Sequence, residues 1–69
     1  MDRLPVDSST IADVAYDPAT MTLEVGFRSG STYQYFDVPE AVYQEFLSSE
    51  SKGKFLHANI KNSYRYTRM

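Results

Sequence analysis

Met21-Thr22-Leu23-Glu24-Val25-Gly26-Phe27-Arg28-Ser29-Gly30-Ser31-Thr32-Tyr33-Gln34-Tyr35-Phe36 is the stretch that decides the fold. Met21, Leu23, Val25 and Phe27 alternate with Thr22, Glu24, Gly26 and Arg28, the period of a strand buried on one face. Ser29-Gly30-Ser31 has the length and chemistry of a hairpin loop. Thr32 to Phe36 then resumes the alternation with Tyr33 and Tyr35 on the apolar side. Upstream, Thr10 to Tyr16 reads as a further strand, joined through Asp17-Pro18-Ala19-Thr20.

Register follows from the loops. With residues 17–20 as a four-residue loop, Tyr16 faces Met21, Val14 faces Leu23 and Ala12 faces Val25. With 29–31 as a three-residue loop and Gly30 left-handed, Phe27 faces Tyr33 and Val25 faces Tyr35. Both loops place Ala12, Val14, Tyr16, Met21, Leu23, Val25, Phe27, Tyr33 and Tyr35 on one face, and a one-residue slip in either would mix the faces. The other face takes Asp13, Ala15, Thr22, Glu24, Arg28, Thr32, Gln34 and Phe36, with Ile11 at its edge. It is half solvated, as in an antiparallel sheet covered on one side.

A helix over 39–50 is expected to supply the cover. Pro39 suits a first helical position, Glu40 a first turn, and Asp37 lies near enough to cap it. Val42, Tyr43, Phe46 and Leu47 form its apolar stripe, and Gly53 suits a stop. Residues 54–62 read as a second short helix with Leu56 and Ile60 inward. Residues 63–69 form a basic tail, helical or a short edge strand: Tyr64 and Tyr66 alternate with Arg65 and Thr67. Residues 1–9, with Pro5 and Ser8-Ser9, read as a lead-in. The expected architecture is α+β, one domain over 1–69: a three-stranded antiparallel β-meander covered on one face by a C-terminal helix and a second short helix.

Composition narrows the function classes. Sixty-nine residues leave room for one small core. With no cysteine there is no disulfide framework and no thiolate metal site. The first residues lack an apolar signal segment and no run approaches a membrane span, so a soluble, cytoplasmic protein is expected.

Charge is the strongest functional signal. All nine acidic residues lie between Asp2 and Glu50, where Arg3 and Arg28 are the only bases; Ser51 to Met69 holds five bases and no acid. The net charge of −2 conceals this split. On a helix, Lys54, His57, Lys61, Arg65 and Arg68 fall within an arc of about 80°; if the helix ends near Asn62, the first three still align. The candidate anion-binding residues are Lys52, Lys54, His57 and Lys61, followed by Tyr64, Arg65, Tyr66 and Arg68, with the tyrosines available for stacking.

Other features carry less. Tyr33 and Tyr35 have the spacing of a base-stacking platform, but register places both with Val25 and Phe27 beneath the helix, so core packing is expected. Asp13 opposite Glu24 reads as a solvated carboxylate pair, relieved by Arg28 or by the tail; no further ligand marks it as a metal site. His57 has no second histidine and no orienting partner, and no nucleophile motif or Gly-rich phosphate loop occurs. The expectation is therefore a non-catalytic protein without cofactor or metal.

Tyr16-Asp17-Pro18, Leu23-x-Val25-x-Phe27-x-x-Gly30, Tyr33-x-Tyr35-x-x-Val38-Pro39 and Ser51-Lys52-Gly53-Lys54-Phe55 with Ile60 together resemble the KTSC domain, over about residues 6–68. That family is named for the C-terminus of some lysyl-tRNA synthetases and also occurs as small free-standing bacterial proteins. Lys61 stands where members often have arginine, keeping the charge without the bidentate fork. The resemblance implies RNA binding through the family's association with synthetases. Two classes of function stand open: an accessory module for nucleic acid, RNA favoured, and a protein-interaction module whose basic segment docks on an acidic partner or whose sheet edge accepts a strand. The residues leave the oligomeric state open.

Overall fold

Two turns set the register of the sheet. The Asp17 carboxylate accepts from the Ala19 amide at 3.0 Å, so Asp17 remains the last strand residue and the loop runs over 18–21. Met21 closes it in a left-handed conformation, φ 54°. In the second turn the Phe27 amide bonds to the Ser31 carbonyl at 2.8 Å and the Gly30 amide to the Phe27 carbonyl at 3.0 Å. The loop is thus 28–30, with Gly30 last at φ 101°. A three-residue hairpin needs its left-handed residue in that final position, where glycine carries no Cβ penalty.

The computed structural model describes residues 2–69 and contains β1 (Arg3–Pro5), β2 (Ile11–Asp17), β3 (Thr22–Phe27), β4 (Thr32–Tyr35), α1 (Glu40–Ser48), α2 (Lys52–Phe55), a π-helical turn (Leu56–Ile60) and β5 (Tyr66–Arg68). Among the described residues the strands form one antiparallel sheet in the order β1-β2-β3-β4-β5. The small α+β domain with one covered face is as expected, but the meander has five strands, not three. The lead-in contributes β1 on β2, and the tail contributes β5 on β4.

Both expected registers are displaced. Tyr16 pairs with Leu23 and Val14 with Val25; Val25 pairs with Tyr33 and Leu23 with Tyr35. Each hairpin is shifted by an even step, which leaves every side chain on its assigned face. Arg28 passes into the second turn, and three further residues change place. Met21 belongs to the turn and is exposed rather than in the core. Ala12 is the extra residue of a β-bulge between the Ile11–Phe27 and Asp13–Gly26 pairs. The bulge turns Ile11 into the core, fully buried, and leaves Ala12 half-buried, the reverse of the expected order.

The core is Ile11, Val14, Leu23, Val25, Tyr35, Val38, Phe46, Leu56 and Ile60. Val42, Tyr43 and Leu47 pack against it from α1, so the helix stripe is as read. The helix itself is shorter at both ends. Pro39 is its N-cap and no side chain caps it; Asp37, in a left-handed conformation, points to Arg65 instead. At the other end the Ser49 amide and hydroxyl both bond to the Phe46 carbonyl, terminating α1 before residues 49–50.

Gly53 is not the stop. It lies within α2, where an added Cβ would sit 2.9 Å from Thr10 Oγ1, so its small size allows the helix to lie against the start of β2. α2 begins at Lys52, ahead of the expected residue 54, with the Ser51 hydroxyl accepting from the Lys54 amide at 3.3 Å. The π turn closes with the Lys61 amide on the Leu56 carbonyl at 2.8 Å. Leu56 and Ile60, four apart, both face the core as expected, and the residue following each, His57 and Lys61, lies on the neighbouring stripe.

Candidate nucleic-acid interface

The covered face of the sheet is wider than α1. Between the β3–β4 turn and the second helix lies a groove of about 590 Å³. Phe27, Tyr33 and Tyr35 supply its aromatic surface; Arg28 and Lys61 supply positive charge, with the His57 imidazole beside them; Ser9, Thr10, Ser29 and Ser31 supply hydroxyls. Among the described residues that line it, none is acidic.

The tyrosine pair divides its work. Tyr35 is 2% exposed, and burial raises its phenol pKa, with smaller contributions from Tyr33 and Tyr66. Tyr33 is only half-buried, a correction to the expectation that both lie in the core. Its ring meets Phe27 edge-on at 5.7 Å and lies near-parallel to Tyr66 at 5.7 Å and Tyr35 at 6.5 Å. β5 brings Tyr66 opposite Tyr35 and Arg68 opposite Tyr33, and Tyr66 stays 55% exposed.

The eight residues singled out from the sequence separate into two groups. His57 and Lys61 line the groove. Arg68 bonds through its guanidinium to the Ser31 hydroxyl at 3.0 Å, and with Tyr66 it borders the groove from β5. Lys54 is exposed on α2, just ahead of His57. The others point elsewhere. Lys52 donates to the Ser49 carbonyl at 2.8 Å and shares a separate small cleft with Asp7 and Glu50. Tyr64 is half-buried against the core. Arg65 reaches Asp37 at 3.4 Å, both highly exposed, an ion pair of little strength. A helix carrying Arg65 and Arg68 in line with Lys54 does not form, because the helical segment ends at Ile60 and the chain enters β5.

Arg28 escaped the sequence reading, which placed it on the open sheet face. It begins the tight turn, where its backbone amide bonds to the Thr10 carbonyl at 2.9 Å. Its side-chain Nε donates to the Ser8 carbonyl at 2.7 Å. The guanidinium is thereby held at the groove with its terminal amino groups directed to no partner among the described residues. Its position one residue before Ser29-Gly30 was the available signal: a three-residue loop includes it.

The acidic face is satisfied from another direction. Asp13 pairs with Gly26 and Glu24 with Ala15, so the two carboxylates are diagonal rather than opposite. Arg3, from β1, bridges them at 2.7 Å to Asp13 and 2.7 Å to Glu24. Gln34 donates to the second Glu24 oxygen at 3.0 Å. These bonds, with Asp13 foremost, raise the Arg3 pKa against the opposing effect of desolvation. Neither Arg28 nor the tail relieves the pair. β5 lies at the opposite edge of the sheet from β1, so the groove-side cations are not consumed by the Asp13–Glu24 face. Among the described residues no three metal-ligating side chains gather.

The KTSC domain family model matches residues 7–64. The chain belongs to the KTSC domain family. A KTSC domain protein from Yersinia pestis, known by crystal structure, shares 43% identity and superposes with a TM-score of 0.93, covering 99% of this chain and 96% of that one. A protein of Tsukamurella paurometabola is 41% identical over 61 residues, 88% of this chain and 91% of its own. A lysine–tRNA ligase of Nostoc sp. is 39% identical over 66 residues, 96% of this chain but 12% of the ligase. The KTSC domain thus occurs both at nearly its own length and as a small part of a tRNA ligase. Among the described residues, no helix is long and apolar enough to cross a membrane.

Proposed function

We propose that this KTSC domain is a non-catalytic module that binds nucleic acid, single-stranded RNA in particular, at the groove and the basic surface around it. The observation that carries the reading is the groove itself: an aromatic lining with Arg28, His57 and Lys61 and no acid among its described residues. Single-strand binders combine these two elements, cations for phosphates and π-faces for unpaired bases. Lys54 and Arg68 extend the positive surface on either side. The kinship with a tRNA ligase favours RNA over DNA by analogy.

Salt dependence tests it. If Arg28, Lys54, Lys61 and Arg68 each meet a phosphate, log affinity falls against log salt with a slope of about −2.8, at ~0.7 per contact. Fluorescence polarisation with a labelled single-stranded RNA reads this directly. Lys54→Glu with Lys61→Glu reduces the magnitude of the slope to about 1.4 or below. Absence of binding at low salt, or a slope indifferent to the charge reversals, refutes the proposal. Capture of an acidic protein that survives nuclease treatment, without RNA affinity, assigns the same surface to a protein partner instead.

A further inference from the structure

We infer that the groove is a subsite for one unpaired nucleobase and its adjoining phosphate, the base against Tyr33 and the phosphate at Arg28 and Lys61. The inference rests on the RNA reading and adds where a base, as distinct from backbone charge, is recognised. Tyr33 is set for this by its neighbours. Phe27 supports its edge, and Tyr35 and Tyr66 lie near-parallel beside it, so the ring is fixed in orientation before any ligand arrives. A fixed ring loses little rotamer freedom on stacking. The opposing wall is the second helix at Gly53, where Thr10 leaves no room for a Cβ.

The lining selects the class of ligand. An apolar guest would make no use of the exposed Arg28 and Lys61 cations. A free phosphate would leave the aromatic floor unused. A nucleotide satisfies both, and a groove of about 590 Å³ lies within the roughly 300–1,000 Å³ of small-molecule sites. Arg28 is positioned for a bidentate phosphate contact because its Nε is already committed to Ser8 while its terminal amino groups are not. The serine and threonine hydroxyls around the mouth can donate to or accept from a base edge.

Backbone and base recognition are separated by comparing a short unstructured oligoribonucleotide with an abasic oligomer of the same length and charge. A base subsite makes the abasic oligomer bind about 5- to 100-fold more weakly, the stacking of one base. Tyr33→Leu removes that difference, whereas Lys61→Ala weakens both oligomers alike. In the unaltered protein, Tyr33 ring proton resonances shift with the base-bearing oligomer and not with the abasic one, which tests the site without a variant. Equal affinity for the two oligomers with unmoved Tyr33 resonances overturns the subsite while leaving the RNA reading in place. Failure of both oligomers to bind overturns both.

Discussion

Substituting each tyrosine of the Tyr33-Gln34-Tyr35 pair separates stability from binding. Tyr35 is 2% exposed and packs in the core with Leu23 and Val25, so Tyr35→Ala removes a fully buried aromatic and leaves a cavity, a loss of about 3–5 kcal/mol. Tyr33 is half-buried with one side toward the groove, and its truncation forfeits a smaller share of buried area, roughly 1–2 kcal/mol. A chain of 69 residues has a total stability of roughly 3–10 kcal/mol. Tyr35→Ala therefore sits near or beyond the unfolding limit, whereas Tyr33→Ala stays folded. Tyr35→Leu, which refills most of the volume, is the measurable companion. Urea unfolding followed by circular dichroism is the assay; with a slope of about 1 kcal/mol per molar, Tyr33→Ala moves the midpoint by ~1–2 M. Near-wild-type stability of Tyr35→Ala, or a cost for Tyr33→Ala equal to that for Tyr35→Ala, refutes the division between a core tyrosine and a groove tyrosine.

Alkaline pH weakens the fold. Burial raises the phenols of Tyr16, Tyr35 and Tyr43 above their usual 10.0, with Glu40 and Asp17 adding to the effect at Tyr16. Because the folded values lie above the unfolded one, the neutral phenols contribute stability that is complete below pH ~10 and lost as pH rises through the folded values. Urea midpoints therefore hold from neutral pH to about 10 and then fall, and Tyr35→Phe makes the fall shallower; a flat profile to pH ~12 contradicts this. Gly26→Ala places a methyl against Asp13 Oδ1 and 3.0 Å from the Arg3 guanidinium, displacing the ion pair at a cost of about 1 kcal/mol, the low end for overpacking because the carboxylate can swing outward. In an Asp13→Ala background that cost vanishes, and a double-mutant cycle with no coupling rejects the contact.

Alternation made the faces of the sheet legible but not its register. In both hairpins the expected pairs differ from the observed ones by an even step, to which a period of two is blind. Local chemistry holds the missing information: the Asp17 side chain binds the Ala19 amide, and the loop glycine must come last. The bulge at Ala12, which sends Ile11 inward, has no signature in residues 10–16 beyond the burial of a large aliphatic side chain. β1 was hidden because Arg3-Leu4-Pro5 is too short to show a period, and because a proline is tolerated on an edge strand. At the site, composition drew attention to the terminal basic segment and thereby passed over Arg28, a lone cation in an acidic half. The same composition could not distinguish Lys61, which lines the groove, from Lys52, which folds back onto a helix-end carbonyl.

Backbone amide chemical shifts recorded during titration with single-stranded RNA test most directly where this domain meets its ligand. Perturbations are expected at Arg28 to Tyr33, at Lys54 to Lys61 and along β5 from Tyr66 to Arg68, with Arg3, Asp13 and Glu24 on the far face unmoved. A map centred on β1 and the Asp13–Glu24 face, or one with no localised shifts at saturating RNA, would contradict the assignment of the groove.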